Sequence, residues 1–448
     1  MILDPTMIIL LIESFDVDTI FDILRNLQNG FESLTKGTIS AHVLLLTAGV
    51  IIFLGIAGEA FFKRTGIPDI AFLMIFGVII GPILGIVEPS TVTSVVPYFA
   101  ALALIIIMFD GGLNLDLKSM AKIAHFSFLL AIIGFVMSVV IVATLAFFWL
   151  EWEILDSILL AAIVGGSSSI IVFGLVRELK VSEDTKSVLS FESAMTDILS
   201  TIIAFILFGA VLVGYFDLST LSAIGDSVII GLALGLGVGI PWMFLTSKLP
   251  NTKHAYMLTL GMLFVLFFLA QTLGESGALT ALVFGLMLGN RKRLFRLLHI
   301  KIPYISNDDT MHNQLTFLVR AFFFVFVGLL ASFGNIEYII FGIVATLGIY
   351  LGRLALTRVT LTSRFSRLDK RVTSVMIPRG LAAAVLATFP ITLGLPNAHI
   401  YPQIVFVIIL TSVILTTIGL STAKKIPNKE SDRGGFVKPN VDESEIKD

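Results

Sequence analysis

The chain has no cysteine among its 448 residues, so disulfides and thiolate metal sites are excluded. Charge is scarce as well. Asp, Glu, Lys and Arg make up 14%, against roughly 25% in a soluble domain. A soluble protein of this length could not cover its core with so few. Hydrophobic residues reach 56%, so lipid must solvate the bulk of the chain. A net charge of −2 offers nucleic acid no basic surface. The histidines are few (His42, His125, His254, His299, His312 and His399) and fall at span ends or in loops. Neither His-Glu-x-x-His nor Gly-x-Ser-x-Gly occurs, which argues against an intramembrane enzyme, and no cofactor is expected. The start, MILDPTMIILLIESFDVD, is acidic, and its apolar run is too short for a signal peptide.

What is abundant is long apolar runs. A membrane span needs about 20 mostly apolar residues. Thirteen candidates centre near 41–62, 68–86, 94–116, 124–150, 155–176, 187–214, 219–247, 254–273, 275–290, 314–333, 336–360, 371–393 and 400–420. The expected class is an all-α polytopic membrane protein of about 13 transmembrane helices. Residues 1–40 form an extracellular or interfacial segment, with either a short interfacial helix or a poor extra span. The transmembrane domain covers 41–421, and 422–448 form a polar, disordered cytoplasmic tail. Lys and Arg are confined to alternate loops, such as Lys63-Arg64, Arg291-Lys292-Arg293 and Lys424-Lys425. The intervening loops have none. The split places the N-terminus outside and the C-terminus in the cytoplasm.

Transporters often contain inverted repeats with broken helices at their centres. Phe76-Gly77 to Gly81 in span 2 matches Phe284-Gly285 to Gly289 in span 9. Spans 5 and 12, also seven apart, hold the most helix-unfriendly stretches: Gly165-Gly166-Ser167-Ser168-Ser169 and Pro378-Arg379-Gly380. A small-residue packing face is the alternative. Five consecutive small residues cover every side of a helix, however, and one packing face does not need them. Two unwound helices follow. Their freed carbonyls can coordinate a cation where protein or a wet cavity surrounds them.

A charge near the bilayer centre costs at least about 2.5–3.5 kcal/mol and demands a partner or a task. Asp110, Glu192, Asp197, Arg320 and Arg379 carry such charges. Counting from the nearest loop charges, Glu192 and Arg320 lie at similar depths, roughly 9–10 Å, so they can form an ion pair. Asp197 lies roughly 16 Å in, near the midplane. Glu192 and Asp197 are five residues apart and point about 140° away from each other. Ser193 shares the face of Asp197. The expected division sets Asp197 and Ser193 toward the ion site, with Ser167 and a freed carbonyl near Gly166. It sets Glu192 toward Arg320 in a structural pair. Arg379 is the crossing-helix charge and an alternative neighbour for Asp197. Asp110 either lines a funnel, touches the ion or marks a helix end. A desolvated carboxylate is costly when empty and charged. Proton and cation can therefore compete for it, and exchange follows if only occupied sites change sides.

These residues resemble the cation/proton antiporter superfamily over about 41–420, especially its prokaryotic sodium/proton antiporters. FDGGLNLDL (109–117), FESAMTD (191–197), RAFFFVFVGL (320–329) and PRGLAAAVLA (378–387) are similar to that family's motifs and stand in the right order. The resemblance implies two crossed, unwound helices, an elevator-like core, a prokaryotic cell membrane and a homodimer. It implies Asp197 as the exchanged-ion carboxylate, with Ser193, Ser167 and Asp110 as ligands. Thr196 and Ser168 stand where relatives often carry Asn or Asp, and acidic residues respectively. With one acid of the pair left, the Thr196 departure suggests electroneutral exchange. The resemblance implies Na+ as the cargo at Asp197, and the serine run at Ser168, more like the superfamily's potassium/proton exchangers, makes K+ the alternative. A cation channel is a further alternative, although no filter sequence is present.

Overall fold

In a computed structural model the chain is almost wholly helical. The structure describes residues 41–423 except 66, 85–88, 115–116, 180, 214–217, 249–254, 274–276, 298–308, 332–333 and 362–364. The expected N-terminal segment and nearly all of the expected tail lie outside the described residues.

In chain order the first helices are α1 (Ala41–Thr65), α2 (Asp69–Val78), α3 (Pro89–Asn114) and α4 (Leu117–Trp149). The chain then breaks between α5 (Ile154–Ile163) and α6 (Ser169–Glu178), and continues as α7 (Glu183–Val213) and α8 (Leu218–Ser247). The second half holds α9 (Ala255–Thr272), α10 (Gly277–Gly289), α11 (Arg291–Leu297), α12 (Asp309–Leu329) and α13 (Ile336–Thr360). It breaks again between α14 (Arg367–Val375) and α15 (Leu381–Leu386), and ends with α16 (Phe389–Leu393) and α17 (Ile400–Ala423). Seven helices among the described residues are long and apolar enough to cross a membrane. Shorter apolar helices occupy other expected spans, among them the broken ones.

Both breaks fall at the predicted sites, for different local reasons. Gly165 and Gly166 carry the largest backbone entropy cost in a helix, and the serines beside them bond to the backbone in other conformations. At the second break Pro378 has no N–H and biases Ile377 away from helical geometry. A proline also lies in the π turn Ile79–Ile83 that ends α2, where Pro82 cannot donate to the ladder.

Packing separates two bundles. One contains α4, α5, α6, α7, α13, α14 and α17; the other contains α1, α2, α3, α8, α9, α10 and α12. Contacts between them run mainly through α15 and α16. In the second bundle α10 is buried nearly all round, as a charge-free apolar helix should be. The matched glycines set its close contacts. Gly285 and Gly289 lie against backbone carbonyls of Phe109 and Leu113 on α3, while Gly77 lies against Val325 and Gly328 on α12. Span 2 thus meets span 10 as span 9 meets span 3. That is the packing an internal repeat of seven spans requires.

Candidate functional site

A helix broken inside a membrane protein must have its freed backbone groups satisfied by protein or water. At the first break, α7 does most of this. Ser200 Oγ donates to the carbonyls of Ala162 at 2.6 Å and Ile163 at 3.1 Å, closing the end of α5. Ser167 N–H donates to Thr196 Oγ1 at 3.0 Å, and the two hydroxyls lie 3.2 Å apart. Ser168 N–H donates to the Pro378 carbonyl at 2.8 Å, joining the two unwound strands directly. Ser169, the first residue of α6, donates its N–H at 2.9 Å and its hydroxyl at 2.7 Å to Asp197 Oδ2. Gly166 permits this: a Cβ there would strike the Thr196 carbonyl.

Asp197 therefore caps the N-terminus of a half-helix, where backbone N–H groups and the macrodipole favour negative charge. Among the described residues no donor is recorded at its other oxygen, Oδ1. A carboxylate held through one oxygen alone still has the other available to a proton or a small cation.

The second break is pinned by the repeat-related helix α17. Arg379 N–H donates to Ser412 Oγ at 2.9 Å. Arg379 Nη2 donates to Ser138 Oγ on α4 at 3.1 Å. Arg353 on α13 donates through Nε to the Thr373 carbonyl at 3.1 Å, near the end of α14. A cavity between the breaks is lined in part by Ser138, Ser167, Glu192, Thr196, Arg353 and Arg379. Arg379 is buried, and its Nε has no hydrogen-bond partner among the described residues.

The expected Glu192–Arg320 pair does not form. Glu192 is paired with Arg353, Nη2 to Oε2 at 2.6 Å and Nη1 to Oε1, in a bidentate fork with both side chains buried. Arg320 instead holds Asp69 of α2 at 2.9 Å and lies over the Phe317 ring. Matching depth was not enough, because Arg320 on α12 belongs to the other bundle. Arg353 is close to Arg358 at the end of its span and reads in sequence as a flanking charge.

The remaining candidates are dispersed. Ser193 donates its hydroxyl to the Ser190 carbonyl at 3.0 Å, and among the described residues no side-chain hydrogen bond joins it to Asp197. Thr196 is buried and bonded to the unwound strand and to the Ser193 carbonyl. Ser168 is buried against Gly380. Asp110 lies in the other bundle. Its Oδ1 is 2.7 Å from His312 Nε2 and accepts from Asn114 at 3.0 Å, and His312 Nδ1 is 3.0 Å from the Tyr256 hydroxyl. Besides Arg353, Ser200 escaped the sequence reading, and Ser169 was read only together with the serines beside it. Ser169 is one of three adjacent serines, with nothing to single it out. Ser200 was legible, since Ser193, Thr196 and Ser200 make an i, i+3, i+7 polar stripe on α7. No group of three or more His, Asp or Glu residues suited to a metal occurs among the described residues.

Residues 49–423 match the family model described as "Sodium/hydrogen exchanger, transmembrane". The chain is 27% identical over 383 residues to the K(+)/H(+) antiporter NhaP of Alkalimonas amylolytica, covering 83% of this chain and 65% of the relative. It is 26% identical over 380 residues to the K(+)/H(+) antiporter NhaP2 of Shewanella baltica, covering 82% and 64%. This chain thus spans just under two thirds of the length of those relatives. It is also 26% identical over 405 residues to the Na(+)/H(+) antiporter 1 of Methanocaldococcus jannaschii, covering 84% and 89%. The solved structure of the sodium proton antiporter MjNhaP1 from that organism, at pH 8, superposes with a TM-score of 0.70 at 23% identity, covering 85% and 99%. That likeness bears on the fold.

Proposed function

Since the chain belongs to the sodium/hydrogen exchanger transmembrane family, we propose that it is a monovalent cation/proton antiporter whose proton and cation compete for Asp197. The observation that carries this reading is the half-satisfied carboxylate: Oδ2 fixed by Ser169 at the N-terminus of α6, and no hydrogen bond to Oδ1 among the described residues. Hard cations take oxygen ligands. The Ser169 hydroxyl, 2.7 Å from Oδ2, would supply one, and carbonyls freed by the break would supply others. With Glu192 neutralised by Arg353, one exchangeable carboxylate remains, which supports one-for-one electroneutral exchange. The sparse seam between the bundles supports an elevator-like movement of the bundle that holds both breaks. The Lys- and Arg-rich loops support a cytoplasmic C-terminus, and thirteen spans and a homodimer complete the reading.

Na+ is the first cargo in this proposal. K+ is a second reading, favoured by Thr196 and Ser168: both are committed to the backbone crossing, so no further acid tightens the site around a small ion. Proteoliposomes with an imposed pH gradient test both. Added Na+ or K+ should collapse the gradient, and Asp197→Ala should not respond to either. Ionic current with no coupled proton movement would instead make the protein a channel.

A further inference from the structure

Exchange at Asp197 uses the near ends of two half-helices, α6 and α14. Their far ends are joined as well. From the crossing of Ser168 and Pro378, the two half-helices extend over 10 and 9 residues, about 14–15 Å each. There the chain leaving α6 turns through Ser182 into α7, and Ser366 begins α14. Both serines meet on one carboxylate. Asp369 Oδ1 accepts from Ser182 N–H at 3.0 Å and Ser182 Oγ at 3.1 Å. Oδ2 accepts from Ser366 N–H at 3.2 Å and Ser366 Oγ at 2.7 Å. Asp369 is 4% exposed, so its charge has little water to rely on.

An ordinary capping box serves its own helix. Asp369 completes such a box with Ser366. It spends its second oxygen on a residue 187 positions away, in the other half of the chain. Ser182 in turn accepts from Thr185 N–H at 3.3 Å at the start of α7. One anion thus faces the positive ends of two helices, α7 and α14. One of them carries Asp197, and the other leads into the crossing.

We infer that Asp369 is a positioning residue for the ion site. It closes a frame whose opposite corner is the Ser168–Pro378 crossing, and so fixes the angle at which Ser169 meets Asp197. The inference rests on the reading of Asp197 as the exchanged-ion site. Opening the frame leaves every ion ligand in place but loosens their spacing. Its effect therefore falls on cation affinity as well as on stability.

The test measures half-saturating cation concentration and maximal rate in proteoliposomes of the full chain, beside thermal stability. Asp369→Asn should raise the half-saturating Na+ or K+ concentration by roughly tenfold, as loss of an outer-shell contact does at other ion sites. Ser182→Ala, which loses the hydroxyl bond but keeps its backbone N–H on Asp369, should raise it by less, between about twofold and tenfold. Ser366→Ala removes only the local cap. It should lower thermal stability and leave cation affinity within about twofold, since the tie to Ser182 survives. Ser182→Ala, a milder change, keeps the question open to measurement if Asp369→Asn does not fold. Unchanged affinity in Ser182→Ala, or an equal loss in Ser366→Ala, would overturn the inference. Exchange surviving in Asp197→Ala would instead overturn the site reading beneath it.

Discussion

The two unwound segments are built alike and differ at one position. In each, a hydroxyl on a repeat-related helix holds freed backbone: Thr196 and Ser200 of α7 at the first break, Ser412 of α17 at the second. In each, a glycine lets the strands approach, Gly166 against the Thr196 carbonyl and Gly380 against Ser168. The difference is Asp197. α7 places a carboxylate on the N-terminus of the half-helix beyond the break, and no acid of α17 does so, since that helix has none. The shared parts build a stable crossing. In the proposed function, the unshared carboxylate is what the crossing exchanges ions on.

The largest effect should come from removing that asymmetry. Asp197→Ala should abolish cation-driven proton movement, whereas Ser412→Ala should leave it measurable. With Asp197 intact, the apparent affinity for cation should fall as pH falls, because protons then occupy the shared carboxylate. The fall approaches about tenfold per pH unit at the acid limit. A pH-independent affinity would sever the link between proton and cation.

Next in size is the ion pair beside the first break. Arg353→Ala should cost about 3–5 kcal/mol in unfolding measurements, since it strands a buried Glu192. Replacing both partners together with apolar residues should cost much less. A double-mutant cycle between Glu192 and Arg320 should show no coupling, because Arg320 serves Asp69. Gly166→Ala should cost toward the upper end of about 1–3 kcal/mol, as the new methyl meets backbone rather than a movable side chain. Smallest is the loss of one pinning hydroxyl. Ser200→Ala and Ser412→Ala should each cost on the order of 1 kcal/mol or somewhat more, by orphaning a buried backbone group. Similar losses at the two positions would support the likeness of the breaks. A much larger loss at either would end it.

Much of this was legible in sequence, and the parts that were not have physical reasons. The breaks announced themselves through Gly165-Gly166 and Pro378, because few other arrangements tolerate such residues at mid-span. Asp197 stood out by the cost of its charge. Partners were harder. Depth is one coordinate, and it cannot say which bundle an arginine belongs to; Arg320 lies in one bundle and Arg353 in the other. Helical phase put Ser193 on the face of Asp197, yet a serine in a helix can turn its hydroxyl back to its own backbone, as Ser193 does toward Ser190. Asp369 looked like a loop charge among Arg367, Lys370 and Arg371. Only folding brings Ser182 to it from the other half of the chain.

Competition at Asp197 is best tested by proton release. Cation is added to the purified, lightly buffered protein near the pH at which half the sites hold a proton, and the released protons are counted against bound cation. If one carboxylate serves both ions, the wild-type protein should release protons with a cation-dependent midpoint, and Asp197→Asn should release none. Equal release from Asp197→Asn would place the exchanged proton elsewhere in the molecule.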